Sequence, residues 1–118
     1  GLPMWQRYAS PVWFDIRRTD VLNARLARED KDEKHICPLQ LEVIRRAVQL
    51  WTNPGDVVFS PFGGIGSEPY IALEQGRRAV AAELKPGYFT QMTRNCEEVC
   101  KPKDEDQMTF GEVCGCKG

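Results

Sequence analysis

Apolar residues recur at helical spacing in the first half of the central region. Four of them, three or four positions apart, are Leu41, Ile44, Val48 and Trp51. This spacing predicts a helix with one apolar face, and Arg45 and Arg46 fall outside that face. We expect the helix to begin at Pro38, because proline lacks the N–H that a first helical position leaves without a partner. Turn-forming residues at 52–56 should end it.

Two short apolar runs flank a Gly-rich loop after this helix. Residues 57–59 (Val-Val-Phe) are continuously apolar, which is typical of a strand buried on both faces of a parallel sheet. The loop at 60–67 leads into a helix that can end at Gly76. A second strand at 79–82 ends at Glu83, and a further helix follows residues 85–87. This order predicts an α/β fold with a parallel sheet and flanking helices.

The last predicted helix and the two ends of the chain have weaker sequence patterns than the central region. The apolar face of that helix carries Phe89, Met92, Cys96 and Val99. Thr19 can cap a short helix near the N-terminus, and residues 108–113 are a weak strand candidate. We divide the chain into an irregular N-terminal segment (1–34), a ligand-binding βαβ region (35–100) and a polar Cys-containing tail (101–118).

Composition excludes several classes of protein. The chain has 118 residues with 16 basic and 17 acidic side chains and a formal net charge of -1, so bulk positive charge does not hold it on DNA. No apolar run approaches the roughly 18 to 20 residues of a membrane span, and the first twenty residues lack the pattern of a secretory signal. We expect a cytoplasmic protein, and the start at Gly1 suggests part of a larger one.

Five cysteines and one histidine bear on metal binding. The cysteines after position 90 are Cys96, Cys100, Cys114 and Cys116. Their spacing, C-x3-C-x13-C-x-C, ends in a pair that is tight for zinc, and Cys96 shares an apolar helix face. We therefore favour free thiols over a zinc site, and His35 as a structural or pocket-lining residue rather than a metal ligand.

The Gly-rich loop carries the candidate chemistry. Glycines let a ligand approach the backbone, and the following helix start presents unpaired N–H groups. A phosphate-binding P-loop needs Lys between Gly66 and Ser67, and a dinucleotide fingerprint begun at Gly64 would need Gly in place of Pro69. Glu83, 17 residues past Gly66, can accept hydrogen bonds from two ribose hydroxyls. An adenosine-type ligand without a pyrophosphate, such as S-adenosylmethionine, fits this set, and a structural turn with a surface Glu is the alternative.

Several strings in this region resemble a known family. Residues 51–67 (WTNPGDVVFSPFGGIGS), 76–78 (GRR) and 82–84 (AEL) resemble the DNA amino-methyltransferases, which methylate the exocyclic amine of adenine or cytosine. Residues 35–40 (HICPLQ) resemble the motif that precedes the loop in the branch whose cofactor motifs lie in the C-terminal half, and the bacteriophage members look most similar. The resemblance covers roughly residues 10–100. It implies a partial Rossmann-like methyltransferase fold, S-adenosylmethionine as cofactor, and a phage protein acting in the cytoplasm of a bacterial host.

The same resemblance implies a cofactor pocket. Its members are His35, Pro38, Ser60, Phe62, Gly64, Gly66, Ser67 and Glu83. Ser67 would hydrogen-bond the methionine end of the cofactor, Glu83 would hold the ribose, and His35 and Pro38 would frame the methionine side. Phe62 and the two glycines would line the pocket. Ser60 stands where most of the family has Asp, so it brings a hydroxyl but no negative charge.

The catalytic residues are not identified by the resemblance. The family uses an (Asp/Asn/Ser)-Pro-Pro-aromatic tetrapeptide to hold the target amine, and the nearest string here is Ser10-Pro11-Val12-Trp13. In this branch of the family the target-reading segment usually lies between the tetrapeptide and the motif that His35 begins. Only 21 residues (14–34) lie between Trp13 and His35 in this chain. We read Ser10 as part of an ordinary extended Ser-Pro. We expect the catalytic loop and the contacts with double-stranded DNA to lie upstream, on a complementary N-terminal half.

Other functions stay open at this point. The chain could be a catalytically inactive remnant that binds a nucleoside or a partner protein. A nicotinamide-dependent oxidoreductase is opposed by Pro69. The arginines between positions 17 and 28 alternate with acidic residues, which favours a solvated face over a DNA-binding patch.

Overall fold

The computed structural model describes residues 1–23 and 37–102. In these ranges the elements, in chain order, are α1 (Leu2–Tyr8), α2 (Leu41–Trp51), β1 (Val57–Ser60), α3 (Ser67–Glu74), β2 (Arg78–Ala81) and α4 (Pro86–Cys100). From α2 onward this order is the predicted one, so the α/β class is confirmed. The strand candidate at 108–113 lies outside the described residues.

The two strands pair in parallel, with α3 as the crossover between them. Val57 lies opposite Arg78, and Ser60 lies opposite Ala81. A parallel pair needs a long connection, most often a helix, because the second strand must start at the same end as the first. The carboxyl ends of both strands therefore meet at one edge of the sheet, where the Gly-rich loop leaves β1 and Glu83 follows β2.

Helix α2 packs on α3 through three of the four residues of its predicted apolar stripe, whereas the fourth, Trp51, is 75% exposed. The buried core cluster consists of Leu41, Ile44, Val48 and Ile71. Ile71 of α3 has no solvent exposure, and Val58 of β1 packs against the same cluster from the sheet. Each fully buried aliphatic side chain contributes about 1.5–3 kcal/mol, so this cluster fixes the helix layer on one face of the strand pair.

The expectation that β1 is buried on both faces is wrong. Ser60 is buried, whereas Val57 is 50% and Phe59 is 63% exposed. Val80, which lies opposite Phe59, is 54% exposed. A local apolar run indicates a strand, but burial of its second face needs a second covering layer, and the described residues supply one layer only. We call Val57, Phe59 and Val80 the open face of the sheet.

Helix α2 begins three residues later than predicted. Gln40 is its N-cap in an extended conformation, Leu41 is its first residue, and Pro38 precedes both. The Leu41 N–H donates to the carbonyl of Asp20 at 2.8 Å. This long-range bond satisfies a donor that the helix start leaves free, and it ties the N-terminal segment to α2.

The segment predicted to be irregular contains one short helix, α1. Pro3 lies in its first turn, where the missing N–H costs nothing. Trp5 packs edge-on against Trp51, with ring centroids 6.0 Å apart, so α1 rests against the end of α2. The helix predicted after Thr19 is absent at 19–23, where the Val21 N–H instead donates to the Thr19 carbonyl in a tight turn. The rest of that predicted helix lies outside the described residues.

The cysteines differ in state within the described ranges. Cys37 and Cys96 carry free thiols, and burial raises the pKa of the Cys96 thiol. Cys100 takes part in a disulfide, so the expectation of free thiols is wrong for this residue, because sequence spacing does not show which sulfurs meet. Cys114 and Cys116 lie outside the described residues.

A search of residues 1–23 and 37–102 for a helix of the length and apolarity that a membrane span requires finds none.

Candidate functional site

The Gly-rich loop folds back over the carboxyl ends of both strands. It runs from Pro61 to Gly66, between β1 and α3. The Gly63 N–H donates to the carbonyl of Ala82 at 2.7 Å, and the Gly66 N–H donates to Gly63 at 2.8 Å. The loop is thus hydrogen-bonded to the end of β2 and to itself, at the edge where ligands bind in open α/β sheets.

Two of the loop glycines are required by the close approach of α4. A Cβ atom on Gly63 would lie 2.7 Å from the sulfur of Met92, and one on Gly66 would lie 2.7 Å from Met92 Cγ. Gly66 also has a φ of +94°, a left-handed conformation that side chains disfavour. A Cβ atom on Gly66 would also lie 3.2 Å from the Met92 Cα atom, so a side chain there strains the packing of α4 on the loop, whereas at Gly63 the nearest atom belongs to the flexible Met92 side chain.

Gly64 differs from these two glycines because it borders open space. A Cβ atom there would meet nothing within 4 Å. Its N–H donates to Glu83 Oε2 at 2.7 Å, and Glu83 Oε1 accepts the Lys85 N–H at 2.9 Å. The structure therefore brings two of the candidate residues, Gly64 and Glu83, into direct contact beside an unfilled space.

The remaining candidate residues differ in their exposure to solvent. Ser60 and Ser67 are buried, and Ser67 is the first residue of α3. The ring of Phe62 is 86% exposed. Pro38 is half-buried in the stretch before α2, and His35 lies outside the described residues.

Sequence reasoning missed two buried polar residues beneath the loop. Asn95 Nδ2 donates to the Ile65 carbonyl at 2.8 Å, and Gln91 Nε2 donates to Asn95 Oδ1 at 3.0 Å. Both side chains belong to α4 and are buried, whereas Phe89, predicted to share the apolar face, is half exposed. The four-residue spacing of Gln91 and Asn95 on either side of Met92 was the available signal, since it places them on one helix face.

Arg46 is buried, contrary to the expectation from its place outside the apolar stripe. Its guanidinium lies 4.8 Å from the ring centroid of Tyr8 and 5.2 Å from that of Trp13. It donates two hydrogen bonds to Asp15, at 2.7 and 2.9 Å, and one to Glu42. The bond to Asp15 raises the pKa of Arg46 and lowers that of Asp15. Asp15 and Arg46 are 31 positions apart in the sequence, and their pairing fixes the N-terminal segment on α2.

Ser10 of the N-terminal segment makes a local hydrogen bond and lines a cavity away from the Gly-rich loop. Its hydroxyl donates to the Val12 carbonyl at 2.9 Å and is exposed. It lines a cavity of about 270 Å³ together with Trp13 and Arg46, and no residue of the Gly-rich loop lines that cavity. The interpretation of Ser10 as part of an ordinary extended Ser-Pro stays a prediction.

The described ranges contain no group of three or more His, Cys, Asp or Glu side chains arranged to hold a metal ion.

A parallel strand pair, a Gly-rich turn into a helix and an acidic residue after the next strand are the arrangement seen at the ligand-binding edge of Rossmann-like folds. Residues 5–94 match the DNA methylase family N6_N4_Mtase. Because this match covers more than half of the chain, the protein belongs to that family.

Individual relatives agree with this assignment. The Type II methyltransferase M.BamHI of Bacillus amyloliquefaciens is 35% identical over 107 residues, which are 88% of this chain and 22% of the relative. The DNA adenine methyltransferase YhdJ of Escherichia coli K12 is 26% identical over 68 residues, 58% of this chain and 23% of the relative. The chain thus spans about a fifth of the length of these curated relatives.

A solved structure shares the fold. It is described as a DNA modification methylase from Thermus thermophilus, complexed with S-adenosyl-L-methionine. The TM-score is 0.60 at 29% identity, and the match covers 84% of this chain and 34% of that one. The methyltransferase fold expected from the sequence is confirmed.

Proposed function

We propose that this chain is the cofactor-binding portion of a DNA methyltransferase that transfers a methyl group from S-adenosylmethionine to the exocyclic amine of a base in double-stranded DNA. The observation that carries the proposal is the contact between Glu83 and Gly64 at the carboxyl edge of the sheet, beside open space. Membership of the DNA methylase family and the cofactor bound in the Thermus thermophilus relative support it.

The residues at this edge fit an adenosine-containing ligand. Each Glu83 oxygen accepts one backbone N–H, and a carboxylate oxygen has about two acceptor positions. The second position of each remains for a ribose hydroxyl. The open space at Gly64 lets a ligand reach the backbone. Ser67, the buried first residue of α3, can offer its hydroxyl to a polar group of the ligand.

Other candidate residues complete the proposed pocket. The exposed ring of Phe62 offers apolar surface to the ligand. We expect Pro38 and His35 to frame the methionine side, and the Ser60 hydroxyl to hydrogen-bond the methionine ammonium. Because Ser60 lacks the charge of the more usual Asp, we expect weaker attraction for the methionine ammonium.

The chemistry is divided between the cofactor and the protein. Bound S-adenosylmethionine supplies an activated methyl group. The residues of this chain bind and orient the cofactor. Glu83 holds the ribose, and the backbone of the Gly-rich loop lies beside the cofactor. Transfer also requires a target base that is flipped out of the duplex and held in line with the methyl group. Ser10, the nearest match to the family's amine-binding tetrapeptide, lines a cavity with Trp13 and Arg46, and no residue of the Gly-rich loop lines that cavity.

We propose that a complementary N-terminal half supplies this function and the contacts with DNA. The open face of the sheet supports such a partner, because parallel sheets occur almost only with both faces covered. Val57, Phe59 and Val80 expose half or more of their apolar side chains there. The similarity to phage members extends the proposal to a phage protein acting in the cytoplasm of a bacterial host.

Reconstitution of methyl transfer tests this function. The chain is incubated with duplex DNA and S-adenosylmethionine carrying a labelled methyl group, with and without a polypeptide that contains the upstream half of the same methylase. We expect label in DNA only with both polypeptides, and no effect of Ser10→Ala. Transfer by the 118 residues alone that disappears in Ser10→Ala would contradict the account. Binding of cofactor without transfer in the reconstituted mixture would favour the inactive remnant.

A further inference from the structure

The loop of the proposed cofactor site is held from below by a buried hydrogen-bond chain. Asn95 Nδ2 donates to the Ile65 carbonyl at 2.8 Å, across 30 positions of sequence. Gln91 Nε2 donates in turn to Asn95 Oδ1 at 3.0 Å, which orients the Asn95 amide. Both side chains are buried, so neither has water as an alternative partner, and the geometry of the chain is fixed.

Ile65 is a sensitive point at which to hold this loop. It lies between Gly64 and Gly66, which have φ values of +55° and +94°. Glycine loses more conformational freedom on folding than any other residue, so a segment with two glycines needs external contacts to stay in one conformation. The buried Ile65 side chain supplies one contact, and the Asn95 amide supplies a directional one.

Met92 lies on the same face of α4 and limits how the loop can move. Its side chain occupies the space that a Cβ atom on Gly63 or Gly66 would need. Helix α4 thus contacts the loop at Gly63 and Gly66 through Met92 and at Ile65 through Asn95. Together these contacts oppose both inward collapse and rotation of the Ile65 peptide.

We propose that Asn95 is a positioning residue for the cofactor site, which holds the Ile65 carbonyl so that the Gly64 N–H stays aligned with Glu83 before any ligand arrives. This inference rests on the proposed function for its effect on affinity. A loop that is already in its binding conformation loses less entropy on binding, which strengthens affinity without direct contact.

A merely structural role for Asn95 makes a different prediction. Asn95→Leu leaves the Ile65 carbonyl and the Gln91 amide without their partner and should lower the melting temperature in either case. Gln91→Met together with Asn95→Leu replaces the side-chain pair by apolar groups of similar shape, which restores much of the stability. The Ile65 carbonyl, however, still lacks its donor. If Asn95 positions the loop, the melting temperature recovers in the double variant but the conformation of the loop stays altered. If Asn95 has a merely structural role, both recover together.

The experiment measures melting temperature, amide hydrogen exchange at Gly64 and Gly66 in the ligand-free chain, and affinity for S-adenosylmethionine. The expected result for Asn95→Leu is faster exchange at both glycines and binding about tenfold weaker. In the double variant the melting temperature rises toward wild type, while exchange and affinity stay altered. Thr93→Val, on an exposed position of α4, should change none of the three quantities.

Two results would overturn the inference: unchanged glycine exchange in Asn95→Leu, or recovery of exchange in parallel with the melting temperature in the double variant. Failure of the wild-type chain to bind S-adenosylmethionine would instead count against the proposed function. The exchange measurements, which need no ligand, would still decide the role of Asn95.

Discussion

The carboxylate of Glu83 accepts the backbone N–H of Gly64 at 2.7 Å, although 19 positions separate the two residues. The other carboxylate oxygen accepts the N–H of Lys85 at 2.9 Å. One side chain therefore joins the end of β2 to the loop that follows β1. Glu83 is at once a candidate ligand-binding residue and a brace for the loop.

Replacement of Glu83 should weaken cofactor binding far more than it weakens the fold. Glu83→Ala removes a charged acceptor for the ribose and should cost about 1–3 kcal/mol of binding free energy. We expect the far-ultraviolet circular dichroism spectrum to be retained, because the side chain packs little apolar surface. Glu97→Ala, exposed on α4, is the matched control in the titration. Equal affinities of the two variants would show that Glu83 does not bind the ligand.

Substitution of Gly66 should destabilise the chain more than substitution of Gly55. Both have left-handed φ values, +94° and +86°, so alanine at either position costs about 1–2 kcal/mol of backbone strain. Only Gly66→Ala also meets Met92, with Cγ at 2.7 Å, and overpacking adds about 1–3 kcal/mol. Urea unfolding measures the difference. Equal free energies of unfolding would mean that Met92 moves aside without cost.

Acid should weaken the contact between the N-terminal segment and α2. The hydrogen bond from Arg46 lowers the pKa of Asp15 below its ordinary value of 3.8. The ionised carboxylate therefore adds stability above pH 3.8, and this contribution disappears as the pH falls through the lowered pKa. We expect a small effect, because the Asp15 side chain is 68% exposed.

Melting curves between about pH 7 and pH 2 check this prediction against Asp15→Asn, which cannot ionise at that position. The wild-type advantage over Asp15→Asn should shrink below about pH 4. A difference between the two proteins that stays constant across the whole range would contradict the assignment.

The open face should mediate association with the complementary half. Phe59→Ser lowers the apolar area of that face and should reduce binding of the upstream polypeptide, measured by analytical ultracentrifugation, while leaving the melting temperature within a few degrees. Phe14→Ser is the control, because Phe14 is exposed but lies outside the sheet. Similar loss of association in both variants would show only a general effect of surface hydrophobicity.

Local sequence pattern predicted the elements better than it predicted their surroundings. The short apolar runs located β1 and β2 to within one residue, and the chain order placed Glu83 beside the loop, because parallel strands end at one edge. The burial of Arg46 was not predictable, since it depends on Tyr8, Trp13 and Asp15, which are far away in sequence.

Contacts between distant residues were also not predictable beneath the candidate site. The Asn95 bond to Ile65 spans 30 positions, and a polar residue on a helix normally indicates a solvated face. Helix α2 starts at Leu41 rather than at Pro38, and the Leu41 N–H is bonded to the Asp20 carbonyl. Both contacts join residues that are distant in the sequence, and a local sequence pattern carries no information about them.

The most direct test of the central claim is a calorimetric titration of the chain with S-adenosylmethionine, with its demethylated product and with NAD. The Glu83–Gly64 contact, the open space at Gly64 and the lack of a third fingerprint glycine predict saturable binding of the first two, each tighter than NAD. Tighter binding of NAD, or no heat from either of the first two with the folded chain, would contradict the account.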